Sequence, residues 1–193
     1  MSRTALASLF ALLLVLSIGC KPPESVEPAE APPERVENAQ AGVALADVPD
    51  FFTVVSNDGG VIELAPGDDT VEGKLTVMAT EVETGGINLV AAIEDHKANL
   101  LAREAGVYKG QRELGTQLGT AFNSRGQWSE GGRTMEEAAV FLVHPQGDRK
   151  LVLTYTYPAG DDSSARLMDQ LFAVLGEVEP LSEEPPPADG DAG

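Results

Sequence analysis

Residues 51–55, Phe-Phe-Thr-Val-Val, and 61–64, Val-Ile-Glu-Leu, flank the turn Asn57-Asp58-Gly59-Gly60. Two apolar-rich runs around such a turn predict a β-hairpin. Pro66-Gly67-Asp68-Asp69 breaks the chain, and residues 74–82 then alternate, with Leu75, Val77 and Ala79 opposed to Lys74, Thr76 and Thr80. That period of two predicts a third strand. After Gly85-Gly86 the spacing becomes helical. Leu89, Val90, Ile93, Leu100 and Leu101 fall on one arc of about 120°, with Lys97 and Glu104 inside it. Asn88 is the expected N-cap and Gly106 the expected stop. Residues 107–114, 117–123 and 125–130 read as further strands. Residues 138–143 and 150–157 are the strongest pair, joined by His144-Pro145-Gln146-Gly147-Asp148-Arg149. In the second of these, Leu151, Leu153, Tyr155 and Tyr157 share a face. A last helix follows Pro158, capped by Asp162 or Ser163, with Leu167, Met168, Leu171, Phe172, Val174 and Leu175 as its apolar stripe and Gly176 as its stop. Strands, helix, strands, helix is the order of an α+β domain, an antiparallel sheet with helices packed on it.

The first twenty residues do not belong to that domain. Arg3 precedes an apolar run over residues 5–18, interrupted only by Ser8 and Ser17. Fourteen residues fall short of the roughly 20 that span a membrane. The layout is that of an export signal. Its end, Leu16-Ser17-Ile18-Gly19-Cys20, resembles a bacterial lipobox, with Ser17 where Leu is usual. The resemblance implies cleavage between Gly19 and Cys20 and a diacylglycerol thioether on Cys20. The chemistry suits cysteine, whose thiolate is the strongest side-chain nucleophile. Two or more acyl chains give stable membrane anchoring.

Residues 20–42 follow as the lipidated cysteine and a tether. Residues 21–42 hold five prolines and five glutamates against one Lys and one Arg. Such a composition has little to bury and extends itself. Residues 179–193 read as an acidic tail, leaving 43–178 for the folded domain. The whole chain of 193 residues carries 31 acidic and 13 basic side chains, net -18. That charge speaks against nucleic acid as a partner, since phosphate binding needs clustered Lys and Arg. One cysteine excludes an intramolecular disulfide and any CxxC site. With only two histidines, no metal site is expected.

The back half, from about residue 119 to 178, resembles the PsbP-like family, which includes bacterial envelope lipoproteins of the DcrB type. The residues that carry the resemblance are the strand over 133–143, the turn Gln146-Gly147-Asp148, the run Leu151-Val152-Leu153-Thr154-Tyr155-Thr156-Tyr157-Pro158-Ala159 and the amphipathic helix over 167–175. It implies an αβα sandwich used as a binding or accessory module, and no catalytic residues.

The residues themselves offer little chemistry. A hydrolase needs a nucleophile beside a base, and only His96, on a helix edge, and His144, in a turn, could be that base. No GxSxG, P-loop or GxGxxG signature is present. The pairs Asp68-Asp69 and Asp161-Asp162 lack the ligand spacing of a calcium loop. Trp128 reads either as core or as an interface anchor beside Arg125. Arg133, Glu136 and Glu137 read either as a surface ion-pair cluster or, with Trp128, as a docking patch.

The leading expectation is a non-enzymatic envelope lipoprotein that binds or assists another envelope component. It would face the periplasm without a cofactor beyond the lipid on Cys20. Lys21, in place of the Asp that retains some lipoproteins at the inner membrane, points to the outer membrane. The alternative is a small-ligand carrier with a pocket lined by Tyr155, Tyr157, Phe141 and the last helix. A hydrolase is the third reading. The lipobox has a direct check. The native protein should enter the detergent phase of Triton X-114 with the mass of its acyl chains, and Cys20→Ser should stay in the aqueous phase without that mass.

Overall fold

A computed structural model describes residues 34–68, 72–81, 86–147, 149–160 and 163–181. Gly19, Cys20, the signal segment, the tether up to residue 33, Asp69, Asp161, Asp162 and the tail from residue 182 lie outside the described residues. The elements run β1 Val36–Asn38, β2 Val43–Leu45, β3 Phe52–Asp58, β4 Val61–Pro66, β5 Lys74–Glu81, α1 Leu89–Ala102, β6 Val107–Thr116, β7 Gly119–Glu130, β8 Arg133–Val143, β9 Arg149–Pro158, α2 Ser163–Glu177 and β10 Val178–Pro180. No helix among the described residues is long and apolar enough to cross a membrane.

Seven strands form one antiparallel sheet in the order β3-β4-β5-β9-β8-β7-β6. The two strongest strands of the sequence, β8 and β9, sit near its centre. Residues 136–142 of β8 are buried on both faces, as expected of a strand covered from both sides. Ala138, Val140 and Leu142 join Leu151, Leu153, Tyr155 and Tyr157 of β9 against Leu171, Val174 and Leu175 of α2. Ala139 and Phe141 face the other way with Val152, against Ala92 and Ile93 of α1. The product is an α+β sandwich with one helix on each face of the sheet, as expected.

Three details differ from the sequence reading. The runs 117–123 and 125–130 belong to one twelve-residue strand, β7, because the turn comes earlier, at Gln117-Leu118. The apolar arc of α1 is narrower than drawn. Ala92, Ile93 and Leu100 are buried, while Val90 and Leu101 are exposed. Asn88 does cap the helix, its side chain accepting from the Ala91 N–H at 3.0 Å.

The third difference corrects the domain limits. The segment 36–42, expected as the end of the tether, and residues 179–180, expected as the start of the tail, are folded. They form a second sheet, β1-β2-β10. Its central strand, Val43-Ala44-Leu45, has no exposed surface, so its backbone groups need a strand on each side. Glu37 and Glu179 both pair with Ala44. The turn before β2 is held from the large sheet. Arg149 Nη1 donates to the Gln40 carbonyl at 2.9 Å. The wholly buried His144 accepts at Nδ1 from the Gln146 N–H, so its proton sits on Nε2 and is donated to the Gly42 carbonyl at 2.9 Å. His144 is therefore a clasp between the two sheets. Three-residue strands containing Glu and Pro carry almost no periodic signal, which is why composition alone assigned them to the flanks.

Where α1 crosses β7, the backbone must come close. A Cβ on Gly126 would stand 2.5 Å from Leu100 Cδ1 and 2.9 Å from the Val107 carbonyl. Gly126→Ala should therefore lower the unfolding free energy by about 1–3 kcal/mol through overpacking, read from urea denaturation. Gly115→Ala, also in a strand and with nothing within 4 Å of its Cβ, is the control and should leave the unfolding free energy nearly unchanged.

Candidate functional site

Glu136 and Glu137 lie at the start of the doubly covered part of β8, and consecutive side chains on a strand point to opposite faces. Each carboxylate is thus carried into a different layer, with only 8% of each side chain exposed. A buried carboxylate is costly unless paired and hydrogen-bonded. The fold supplies partners for both.

On the α1 face, Glu137 accepts from His96 Nε2 at 2.8 Å, from the Thr156 hydroxyl at 3.0 Å and from Arg103 Nη1 at 3.3 Å. The other ring nitrogen of His96 lies 2.9 Å from the hydroxyl of Ser124, which is fully buried. Arg103, the residue that caps α1, has its guanidinium 4.0 Å from the centroid of the Trp128 ring. Phe141 meets the His96 ring edge-on at 5.5 Å. Ile93, His96, Leu100 and Arg103 follow at three, four and three residues, which is one face of a helix. That spacing could have revealed the site. The polar His and Arg hid a stripe that an apolar-only reading cut short.

On the α2 face, Glu136 is contacted by the Lys109 ammonium and the Tyr157 hydroxyl, with Arg125 Nη2 at 3.8 Å. Lys109 reaches it from a bulge, where the β6–β7 register shifts between Tyr108 and Gly110.

The four residues grouped in the sequence therefore do not form one exposed patch. Trp128 is buried beneath Arg103. Glu136 and Glu137 are buried on opposite faces. Only Arg133 is exposed, paired with Glu72 at 2.6 Å. The carrier pocket is not where it was expected either. Tyr155 and Tyr157 are packed into the α2-side core, and Phe141 stands on the opposite face.

Ser124, His96 and Glu137 are the residue types of a nucleophile, a base and an orienting acid. Here the acid holds Nε2, and the hydroxyl of Ser124 has no exposed surface. The arrangement fastens α1 to the sheet through a hydrogen-bonded chain.

The open surface lies on the α2 face, where the helix covers β8 and β9 but leaves β6 and part of β7 bare. A cavity of about 520 Å³ is lined by Lys109, Gly110, Gln111, Arg112, Asn123, Arg125 and Met168. A second, of about 300 Å³, is lined by residues 114–117 with Phe172, Leu175 and Gly176. Both run between the same strand and the same helix, so they are two stretches of one trough. Sequence periodicity could not show it, because it depends on where α2 lies across the sheet.

Burial pushes the Glu137 carboxyl up, but the His96 hydrogen bond, the Arg103 charge and the Thr156 hydroxyl outweigh it and hold the group below its ordinary value. A depressed carboxyl contributes stability that is present above its unfolded pKa, about 4.3, and lost as pH falls through the folded value. Glu137→Gln should lower the unfolding free energy by about 2–3 kcal/mol at pH 7. The gap to the native protein should shrink below about pH 4, measured by urea denaturation across the acid range.

No protein-family model matches this chain, and no curated protein sequence matches it significantly. Solved structures do. LpqN of Mycobacterium tuberculosis, described as involved in cell envelope biogenesis, is 18% identical over 78% of this chain and 86% of that one, with a TM-score of 0.52. The Ran-binding protein Mog1p of Saccharomyces cerevisiae is 13% identical over 78% and 96%, with a TM-score of 0.52. A protein from Bacteroides thetaiotaomicron is 15% identical over 79% and 50%, with a TM-score of 0.51. At these identities the likeness establishes the fold alone, and that fold is the Mog1/PsbP-like α+β sandwich.

Proposed function

We propose that this chain is a lipid-anchored accessory module of the bacterial cell envelope. It binds another envelope component and catalyses no reaction. Cys20 carries the anchor, the segment before residue 34 is the tether, and the domain faces the periplasm, on the outer membrane by the reading of Lys21. The observation that carries the binding role is the trough between β6 and α2, an open surface with converging polar groups.

Two further facts support the reading. The only nucleophile–base–acid set found among the described residues has its hydroxyl sealed. The neighbours of the same fold include one described as involved in cell envelope biogenesis and one described as Ran-binding. Fold likeness does not license function, so the weight rests on the trough. Confinement to a membrane raises the effective concentration of a partner on that membrane, so weak contacts suffice.

Site-specific photo-cross-linking in intact envelopes tests this. A benzoylphenylalanine at Met168, the α2 residue that lines the trough, should yield one discrete protein adduct. The same group at Val55, exposed on the far edge strand β3, should yield none. Cys20→Ser should reduce the Met168 adduct at least fivefold. Equal adducts from both positions, or no adduct from Met168, would count against the reading.

A further inference from the structure

The charged lining of the trough has one sign. Among the described residues that line its first stretch, the ionic ones are Lys109, Arg112 and Arg125, on a chain of net charge -18. The carboxylate at its floor, Glu136, is already engaged by Lys109 and Tyr157 and lies 3.8 Å from Arg125. One negative charge against three positive leaves a surplus of about two.

The strand register explains the convergence. Gly110 pairs with Arg125 and Arg112 with Asn123, so these positions share the side of the sheet that faces α2, and the bulge turns Lys109 to the same side. Arg112 is the part of the surplus left for a visitor. Among the described residues it has no carboxylate partner and no side-chain hydrogen bond. Its guanidinium lies over the Phe172 ring, 5.7 Å from the centroid. An arginine held in this way keeps its planar fork of donors for a bidentate carboxylate.

Past Arg112 the lining changes character. Leu114 follows on the strand, and Met168, Phe172 and Leu175 follow on the helix at steps of four and three residues. Charge at one end and apolar surface at the other extend along residues 109–116 of β6, roughly 25 Å for eight residues.

We propose that this trough docks an acidic polypeptide segment of a partner protein, one whose carboxylates stand beside apolar side chains. The proposal rests on the binding-module reading above and names the chemistry of its partner. Two features favour polypeptide over a small amphiphile. The trough is open along its length, whereas small-ligand sites enclose most of their ligand. In addition, β6 is the edge of the seven-stranded sheet, and neither Gly110 nor Gly115 has a heavy atom within 4 Å of where a Cβ would stand. The edge offers its outward N–H and C=O groups to a second strand, and the open glycines leave room on the sheet face beside it. The net charge of the chain opposes an acidic partner at long range. Salt screens that repulsion beyond about 8 Å, and the local surplus acts inside it.

The test uses the full-length protein in mild detergent and four labelled twelve-residue peptides, read by fluorescence anisotropy. They combine Glu with Leu, Glu with Ser, Lys with Leu, and Ser with Leu. The Glu/Leu peptide should bind at least tenfold more tightly than the other three. Arg112→Glu should weaken it at least tenfold. Arg112 is exposed and holds no buried group, so the variant keeps its fold, checked by its thermal melt. Arg133→Glu, at the exposed pair with Glu72, should change affinity less than twofold. Equal binding of Lys/Leu and Glu/Leu, binding insensitive to Arg112→Glu, or no peptide binding would overturn the proposal. Binding of phosphatidylglycerol vesicles at Arg112 without peptide binding would overturn it in favour of a lipid headgroup. Peptide binding that emerges only when Glu183, Glu184, Asp189 and Asp191 are made Gln and Asn would overturn it in favour of the chain's own tail. If the peptides fail while the Met168 adduct persists, the partner chemistry falls and the binding-module reading stands.

Discussion

Two carboxylates side by side in a strand covered on both faces set the terms for the rest of this structure. Glu136 and Glu137 stand where β8 enters the core, and neither can keep its charge there without nearby donors. Loss of solvation is the largest influence on Glu137, yet the donors around it outweigh that loss. Those donors come from several neighbouring elements: His96 from α1, Arg103 from its cap, Thr156 from β9, Lys109 from the β6 bulge and Arg125 from β7. The polar pairs thus fix which turn of α1 lies over β7 and β8, something apolar contact alone specifies loosely. Whether such buried pairs add net stability is a separate matter, since apolar replacements of equal volume often match them. Their removal one partner at a time is what costs most.

Much of the architecture was legible because the large sheet obeys simple periods. The hairpin of β3 and β4, the alternation of β5 and the long apolar runs of β8 and β9 all announce themselves. The N-cap at Asn88 is readable from one side chain. What escaped was whatever depends on the third dimension. β1 and β10 are three residues each and are strands only because β2, wholly buried between them, needs partners. The tether and tail were therefore drawn too long at their inner ends, by Val36–Asn38 and its turn and by Glu179-Pro180.

The candidate site was half legible. Glu136 and Glu137 were singled out, but with Arg133 as a surface group, because charged residues are usually outside; of the two readings of Trp128, core and anchor, the structure takes the core. A signal to the contrary was present. The two glutamates directly adjoin a run with no polar alternation, Ala138 to Leu142, the mark of a strand buried on both faces. Lys109 carried no such signal, since it sits in a bulge, and Arg103 showed only through its helical spacing from Ile93, His96 and Leu100. Arg112 and Phe172 are sixty residues apart, and only the position of α2 brings them together.

The small sheet also decides how the domain meets a pull. The first described residues and the last strand flank the same central strand, and Arg35 bonds to Glu179 at 2.8 Å. A load arriving through the N-terminal segment reaches β1 first, a three-residue ladder on β2 that the Asn38 and Asn57 side chains also tie to the hairpin of the large sheet. Such a short ladder yields early. The turn behind it does not share that weakness, because His144 and Arg149 hold it from within the large sheet. Under tension the domain would lengthen by the few residues of β1 and then stop at a clasp of two side chains. That makes the start of the fold a mechanical fuse, able to take up strain while the sandwich and its trough keep their shape.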